Sequence, residues 1–173
     1  MNKPLNKFKN TEEAEEFLRR PSKKQIDLLI ESITTGSKTL EMVYSIAVSD
    51  KNPAAWRASW VLVHIDKQKP QLLNSYEDKM IDDYNRMPTD RQKASILQIL
   101  THRNFSIAQT GNLFDAALYN LIAAGKPMYF RMYSLIFLEH FVSMVPELAP
   151  EVLAVIEGEN NLPSNHSIKL AVN

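Results

Sequence analysis

Cysteine is absent from all 173 residues, which excludes disulfides, thiolate chemistry and cysteine-ligated zinc. Glycine is nearly as scarce, with four residues, and the chain is rich in Leu, Ala, Glu, Lys and Met, a balance that favours helix over sheet. No Asn-Gly or Asp-Gly pair occurs and no run of apolar residues alternates, so the signals of a β-hairpin are missing. The fold class that follows is all-α. The first twenty residues hold no apolar stretch of the kind that opens a secretory signal. The longest largely apolar run, residues 132–138, is far too short to cross a bilayer. A cytoplasmic protein with no membrane partner is the expectation. Basic and acidic residues balance at 20 each, and a dedicated nucleic-acid binder carries a basic excess, so no nucleic-acid partner is expected. Nor is there an HExxH motif, a glycine-rich phosphate loop or a nucleophile elbow. The sequence therefore predicts no catalytic residue, no metal and no cofactor.

What the chain does contain is a repeated figure. Residues 53–65, PAAWRASWVLVHI, read as a helix with Asn52 at the N-cap and Pro53 at the first helical position. Trp56, Trp60 and Val63 fall at i, i+4 and i+7, and the surrounding apolar residues widen the stripe. A helix this apolar requires neighbours on most sides, and both tryptophans are expected in the core. The figure returns 74 residues later at Pro127, as PMYFRMYSLIFLEH. In both copies an aromatic follows the proline at +3 (Trp56, Phe130) and an arginine at +4 (Arg57, Arg131).

Between these helices, start and stop signals recur. Asn10 with Glu13, Ser22 with Gln25 and Thr89 with Gln92 have capping-box spacing. Gly36, Gly125 and Gly158 mark helix ends. Apolar stripes of 3.6-residue period run through Ile26, Leu29, Ile30 and Ile33, then through Leu40, Val43, Ile46 and Ala47. Pro70 starts the partner of the Pro53 helix, and a helix after Gly111 turns Leu113, Phe114, Ala117, Leu118, Leu121 and Ile122 inward. The restart points Pro21, Pro53, Thr89, Pro127 and Pro163 are separated by 32, 36, 38 and 36 residues. Each unit holds two helices and a short turn, the period of an α-solenoid. Residues 1–20 read as a polar segment with a short helix, and residues 21–173 as about four helical hairpins with a partial unit at the C-terminal end.

On its Pro-x-x-x-Arg openings (Pro53/Arg57, Pro127/Arg131, and weakly Thr89/Lys93), the chain resembles the HEAT-like, or armadillo-type, repeat superfamily. Pro88 sits one residue early in the middle unit, and Gln25 stands where the first unit would carry arginine. The resemblance implies an α–α superhelix in which second helices line the concave face. Their outward residues on this register are Glu41, Ser45, Asp78, Asp82, Asp115, Tyr119, Asn120 and Glu151. An acidic surface with tyrosine and amide groups suits a basic peptide or protein segment and repels phosphate. The function expected is a non-enzymatic protein- or peptide-binding scaffold. The alternative is a divergent member of the HEAT-like DNA repair enzymes of the alkylbase glycosylase type, whose groove uses tryptophans with an aspartate and basic residues.

Three further patterns bear on chemistry. His64, His102 and His140 recur every 38 residues, but their differing offsets from Arg57 and Arg131 turn them to different faces. Asp78, Asp82 and Asp83 cluster beside Glu77, with Lys79 and Arg86 among them as local ion-pair partners. Residues 1–24 hold seven basic and four acidic side chains, while residues 132–168 hold five acidic and no Lys or Arg. That asymmetry favours head-to-tail self-contact, a homo-oligomer through terminal repeats.

Overall fold

The computed structural model describes residues 8–34, 37–105 and 110–158. The chain divides into two compact units, Met1–Ile96 and Leu97–Asn173. The first contains α1 (Thr11–Arg19), α2 (Lys23–Ser32), α3 (Lys38–Ala47) and α4 (Ala54–Gln68), then a 3-10 segment (Pro70–Tyr76) that runs into α5 (Glu77–Tyr84). It closes within α6 (Asp90–Leu100), whose last turn opens the second unit. There follow α7 (Gly111–Ile122), α8 (Met128–Met144), a 3-10 turn (Pro146–Leu148) and α9 (Ala149–Glu157). Among the described residues there is no strand.

Local signals set most of the boundaries. Ser22 and Gln25 form both halves of a capping box on α2. Asn10 Oδ1 accepts from Glu13 N, and Ser37 Oγ accepts from Leu40 N to cap α3. The Thr89 signal works differently from expectation. Thr89 Oγ1 accepts from Gln92 N at 3.3 Å, and the Thr89 hydroxyl donates to Gln92 Oε1 at 2.6 Å, so the side chain returns to the cap's hydroxyl and not to its backbone N–H. The Gln92 amide nitrogen reaches the end of α3, donating to the carbonyls of Ala47 at 2.9 Å and Ser49 at 2.8 Å. Gln92 is fully buried, so those bonds satisfy groups that water does not reach. At the head of α4 the cap is Pro53, with Ala54 first in the helix. The predicted position was one residue earlier, at Asn52. The partner after Pro70 begins as a 3-10 segment and becomes α-helical only at Glu77. Gly125 takes φ +78°, but two residues beyond the C-cap Ala123. Gly36 and the expected restart at Pro163 lie outside the described residues.

The stacking of successive repeats is written in the long-range hydrogen bonds. Lys69, at the end of α4, donates from Nζ to the carbonyls of Ile30, Glu31 and Ile33 at 2.9, 3.0 and 3.2 Å. It thus caps the C-terminus of α2, where carbonyls lack helical partners and the dipole favours a cation. Ser59 of α4 meets Ser95 of α6, and Tyr44 of α3 bonds Asp83 of α5. In the second unit His140 Nε2 lies 2.8 Å from the carbonyl of Arg103. Partners in these contacts are 36 to 39 residues apart in sequence. That is one repeat. In these contacts first helices meet first helices and second helices meet second, whereas the Gln92 bonds cross from a first helix to the end of a second.

Each unit has its own core. In the first, α4 buries Ala54, Ala55, Ala58, Val61, Leu62 and Ile65 against neighbours that include α3 and α1. Small residues on that face bring helix axes close. The tryptophans are not in the core, contrary to the sequence expectation. Trp60 is 40% exposed and Trp56 half-buried, because the alanine stripe, not the aromatic one, faces the neighbouring helices. In the second unit the core is aromatic: Phe105 stacks on Phe137 at 5.8 Å, and Phe114 lies 5.0 Å from Phe141. Ile122, expected inward, is 40% exposed.

Candidate binding surface

In the first unit the carboxylates proposed from sequence gather around a pair of tyrosines. Glu41 and Ser45 lie one turn apart on α3, and Asp78 and Asp82 one turn apart on α5. All four are exposed. What joins the two helices is Tyr44, whose hydroxyl donates to Asp83 Oδ2 at 2.9 Å. Its ring meets that of Tyr76 at 4.8 Å, inclined by 46°. Arg86 pairs with the other Asp83 oxygen, as the sequence spacing predicted. Lys79 Nζ lies 5.1 Å from the centroid of the Tyr76 ring, a cation–π contact.

The electrostatics follow from this packing. Burial, then the hydrogen bond to Asp83 and that carboxylate's charge, hold the Tyr44 hydroxyl far above the usual tyrosine range, with Arg86 opposing. The Tyr76 hydroxyl is pushed up by burial and then by the charge of Glu41. Both tyrosines therefore stay protonated as donors at neutral pH. Five carboxylates (Glu41, Glu77, Asp78, Asp82, Asp83) stand on these two second helices against Lys38, Lys79 and, just past α5, Arg86. The tyrosines form the rigid floor and the carboxylates the rim.

The second unit places its share differently. Asp115 and Tyr119 are one turn apart on α7 and exposed, Tyr119 to 65%. Glu151 is exposed on α9. Asn120 is only 6% exposed and offers no surface, which corrects its assignment as an outward residue. The reason is rotational: one residue along a helix is about 100°, and position 120 follows Ala117 and precedes Leu121 on the buried side. Among the described residues no group of three or more His, Asp and Glu is placed to hold a metal ion. His64 stacks edge-on with Trp60, His140 meets the Arg103 carbonyl, and His102 is exposed.

With hairpins and repeat-spaced contacts in hand, a comparison of families is decisive. The model of the HEAT repeat domain matches residues 14–173. The chain belongs to the HEAT repeat domain family. No curated protein and no solved structure matches it. Membership makes the chain a helical repeat scaffold of the α-solenoid class. In the Pro127 repeat the arginine of the motif also has a visible role. Arg131 Nε donates to the carbonyl of Leu121 at 2.6 Å, closing the end of the preceding helix. In the middle repeat the residue four after Pro88 is Gln92, and it too caps carbonyls at a helix end. The motif is thus kept in role where it departs in letter. Among the described residues no helix of this HEAT domain is long and apolar enough to cross a membrane.

Two features escaped sequence reasoning. Nothing in the spacing said that the Tyr44 hydroxyl would meet Asp83 one repeat away. Trp60 read as core because it falls on the apolar stripe of Trp56, Trp60 and Val63. The available signal was Ala54, Ala55 and Ala58 on the competing face, which mark where another helix must come close.

Proposed function

We propose that this HEAT domain is a non-enzymatic scaffold that binds a basic segment of a protein partner on the second-helix surface of its first unit. One observation carries the reading: exposed carboxylates stand on α3 and α5, two helices that the Tyr44–Asp83 hydrogen bond and the buried Tyr44–Tyr76 pair hold together. The two tyrosines are buried and brace the helices beneath the surface, and the exposed carboxylates select cationic side chains. The same charges repel a phosphate backbone. Membership of a scaffold family supports the reading at the level of class.

The test is fluorescence polarisation of a labelled lysine- and arginine-rich peptide against the wild-type chain and the triple variant Glu41→Lys, Asp78→Lys, Asp82→Lys. Each replaced side chain is exposed, so the fold is retained. The reading predicts saturable binding that weakens with salt and falls at least about tenfold in the triple variant. Equal affinity of the two proteins for the peptide would refute it.

A further inference from the structure

The tryptophans that do not enter the core form a second surface of opposite character. Trp56, Trp60 and His64 stand at i, i+4 and i+8 on α4, one column about 12 Å long at 1.5 Å per residue. Trp60 is exposed, and its ring meets the His64 ring edge-on at 4.1 Å. At the N-terminal end of the column the guanidinium groups of Arg57 and of Arg91, from α6, each lie 5.0 Å from the Trp56 ring centroid. Arg57 Nη1 is buried and finds no hydrogen-bond acceptor among the described residues. At the other end His64 sits in the field of Lys67 and of Lys23 from α2, which with burial, the largest influence, lower its proton affinity, while Asp27 acts the other way. Among the described residues none of Lys23, Arg57, Lys67 and Arg91 makes an ion pair. Four cations without an ion pair, set along a column that carries an exposed indole, are an arrangement that stability alone does not call for.

We infer that this column on α4 is a docking surface for an acidic segment of a protein partner, in which carboxylates flank an apolar side chain that packs on Trp60. The geometry selects the class of ligand. A small anion reaches one end of the column only, whereas about four extended residues at 3.3 Å each span both cationic ends. Nucleic acid fits less well. Base stacking needs open aromatic faces, yet guanidinium groups crowd Trp56 and the His64 ring meets Trp60. The surface is separate from the carboxylate rim of α3 and α5 and takes ligands of the opposite charge, so either assignment can fail without the other.

The two tryptophans of the column are the only ones in the chain, so intrinsic emission reports on this surface alone. The full-length protein is titrated with a synthetic glutamate-rich peptide carrying leucines and, separately, with duplex DNA. The variant Lys23→Glu, Lys67→Glu leaves both indoles in place, and Trp60→Ala removes the apolar anchor. Circular dichroism verifies that both variants stay helical. Expected are a saturable emission change with the peptide, an apparent Kd at least about tenfold weaker in the charge variant, and loss of peptide binding, followed by calorimetry, in Trp60→Ala. No emission change with the peptide would overturn the inference, as would equal peptide binding by wild type and charge variant. A response to duplex DNA without one to the peptide would overturn it in favour of a phosphate-binding surface.

Discussion

Lys69 and Gln92 show how single side chains replace the hydrogen bonds that helix ends lack. Each reaches carbonyls at the end of another helix, Lys69 at the end of α2 and Gln92 at the end of α3. Replacing Lys69 with Met keeps the stem and removes three donors, and should cost about 2 kcal/mol in urea unfolding. Gln92→Ala leaves buried carbonyls unpaired and should cost at least as much. An unchanged urea midpoint in both would show that the capping contacts contribute nothing. His64 supplies a pH-dependent case. Burial, then Lys67 and Lys23, lower its pKa below the ordinary value of 6.5. The unfolded chain then holds the proton more tightly than the native one. Stability from neutral His64 is therefore present above that ordinary value and is lost as pH falls toward the native pKa. The advantage of wild type over His64→Asn in melting temperature should shrink from about pH 8 to about pH 5. A constant difference would mean that His64 titrates alike in both states.

At the scale of elements, boundaries were the most legible feature of the sequence. Ser22, Ser37 and Asn10 cap the helices their spacing marks, since a cap is a local bond that needs no tertiary information. Which face of α4 is buried was not legible. Trp56, Trp60 and Val63 form as good a stripe as Ala54, Ala58 and Val61, and only the close approach of neighbouring helices decides for the small residues. Asn120 failed for a related reason: an amide on a helix is polar by type, but its burial depends on rotation about the axis. The helix α8 carries a further consequence. Ser134 is fully buried and its Oγ has no hydrogen-bond partner among the described residues. Ser134→Ala removes a hydroxyl that burial penalises, so it should be neutral or raise stability by up to about 1 kcal/mol. A clear loss of stability on thermal unfolding would show that the hydroxyl is satisfied in solution.

At the scale of the whole molecule, periodicity was legible and chemistry was not. The 32- to 38-residue restarts in sequence reappear as hydrogen bonds between residues 36 to 39 apart, and as a family match over residues 14–173. A repeat constrains its own core residues again and again, so the pattern survives in one sequence. Surface residues carry no such redundancy. The carboxylate rim gained its tyrosine floor, and the α4 column its flanking cations, only when α3 met α5 and α4 met its neighbours α2 and α6. The two proposals together predict that the first unit of this HEAT domain holds two partners of opposite charge.

On the proposed function, the second helices of the first unit bind a basic segment of a partner. The most direct test is a nitrogen–proton NMR titration of the labelled chain with a lysine- and arginine-rich peptide. The account predicts that amide signals of Glu41, Ser45, Asp78 and Asp82, with those of Tyr44 and Tyr76 beneath them, shift progressively and saturate. Shifts confined to other helices, or no shifts at all, would contradict it.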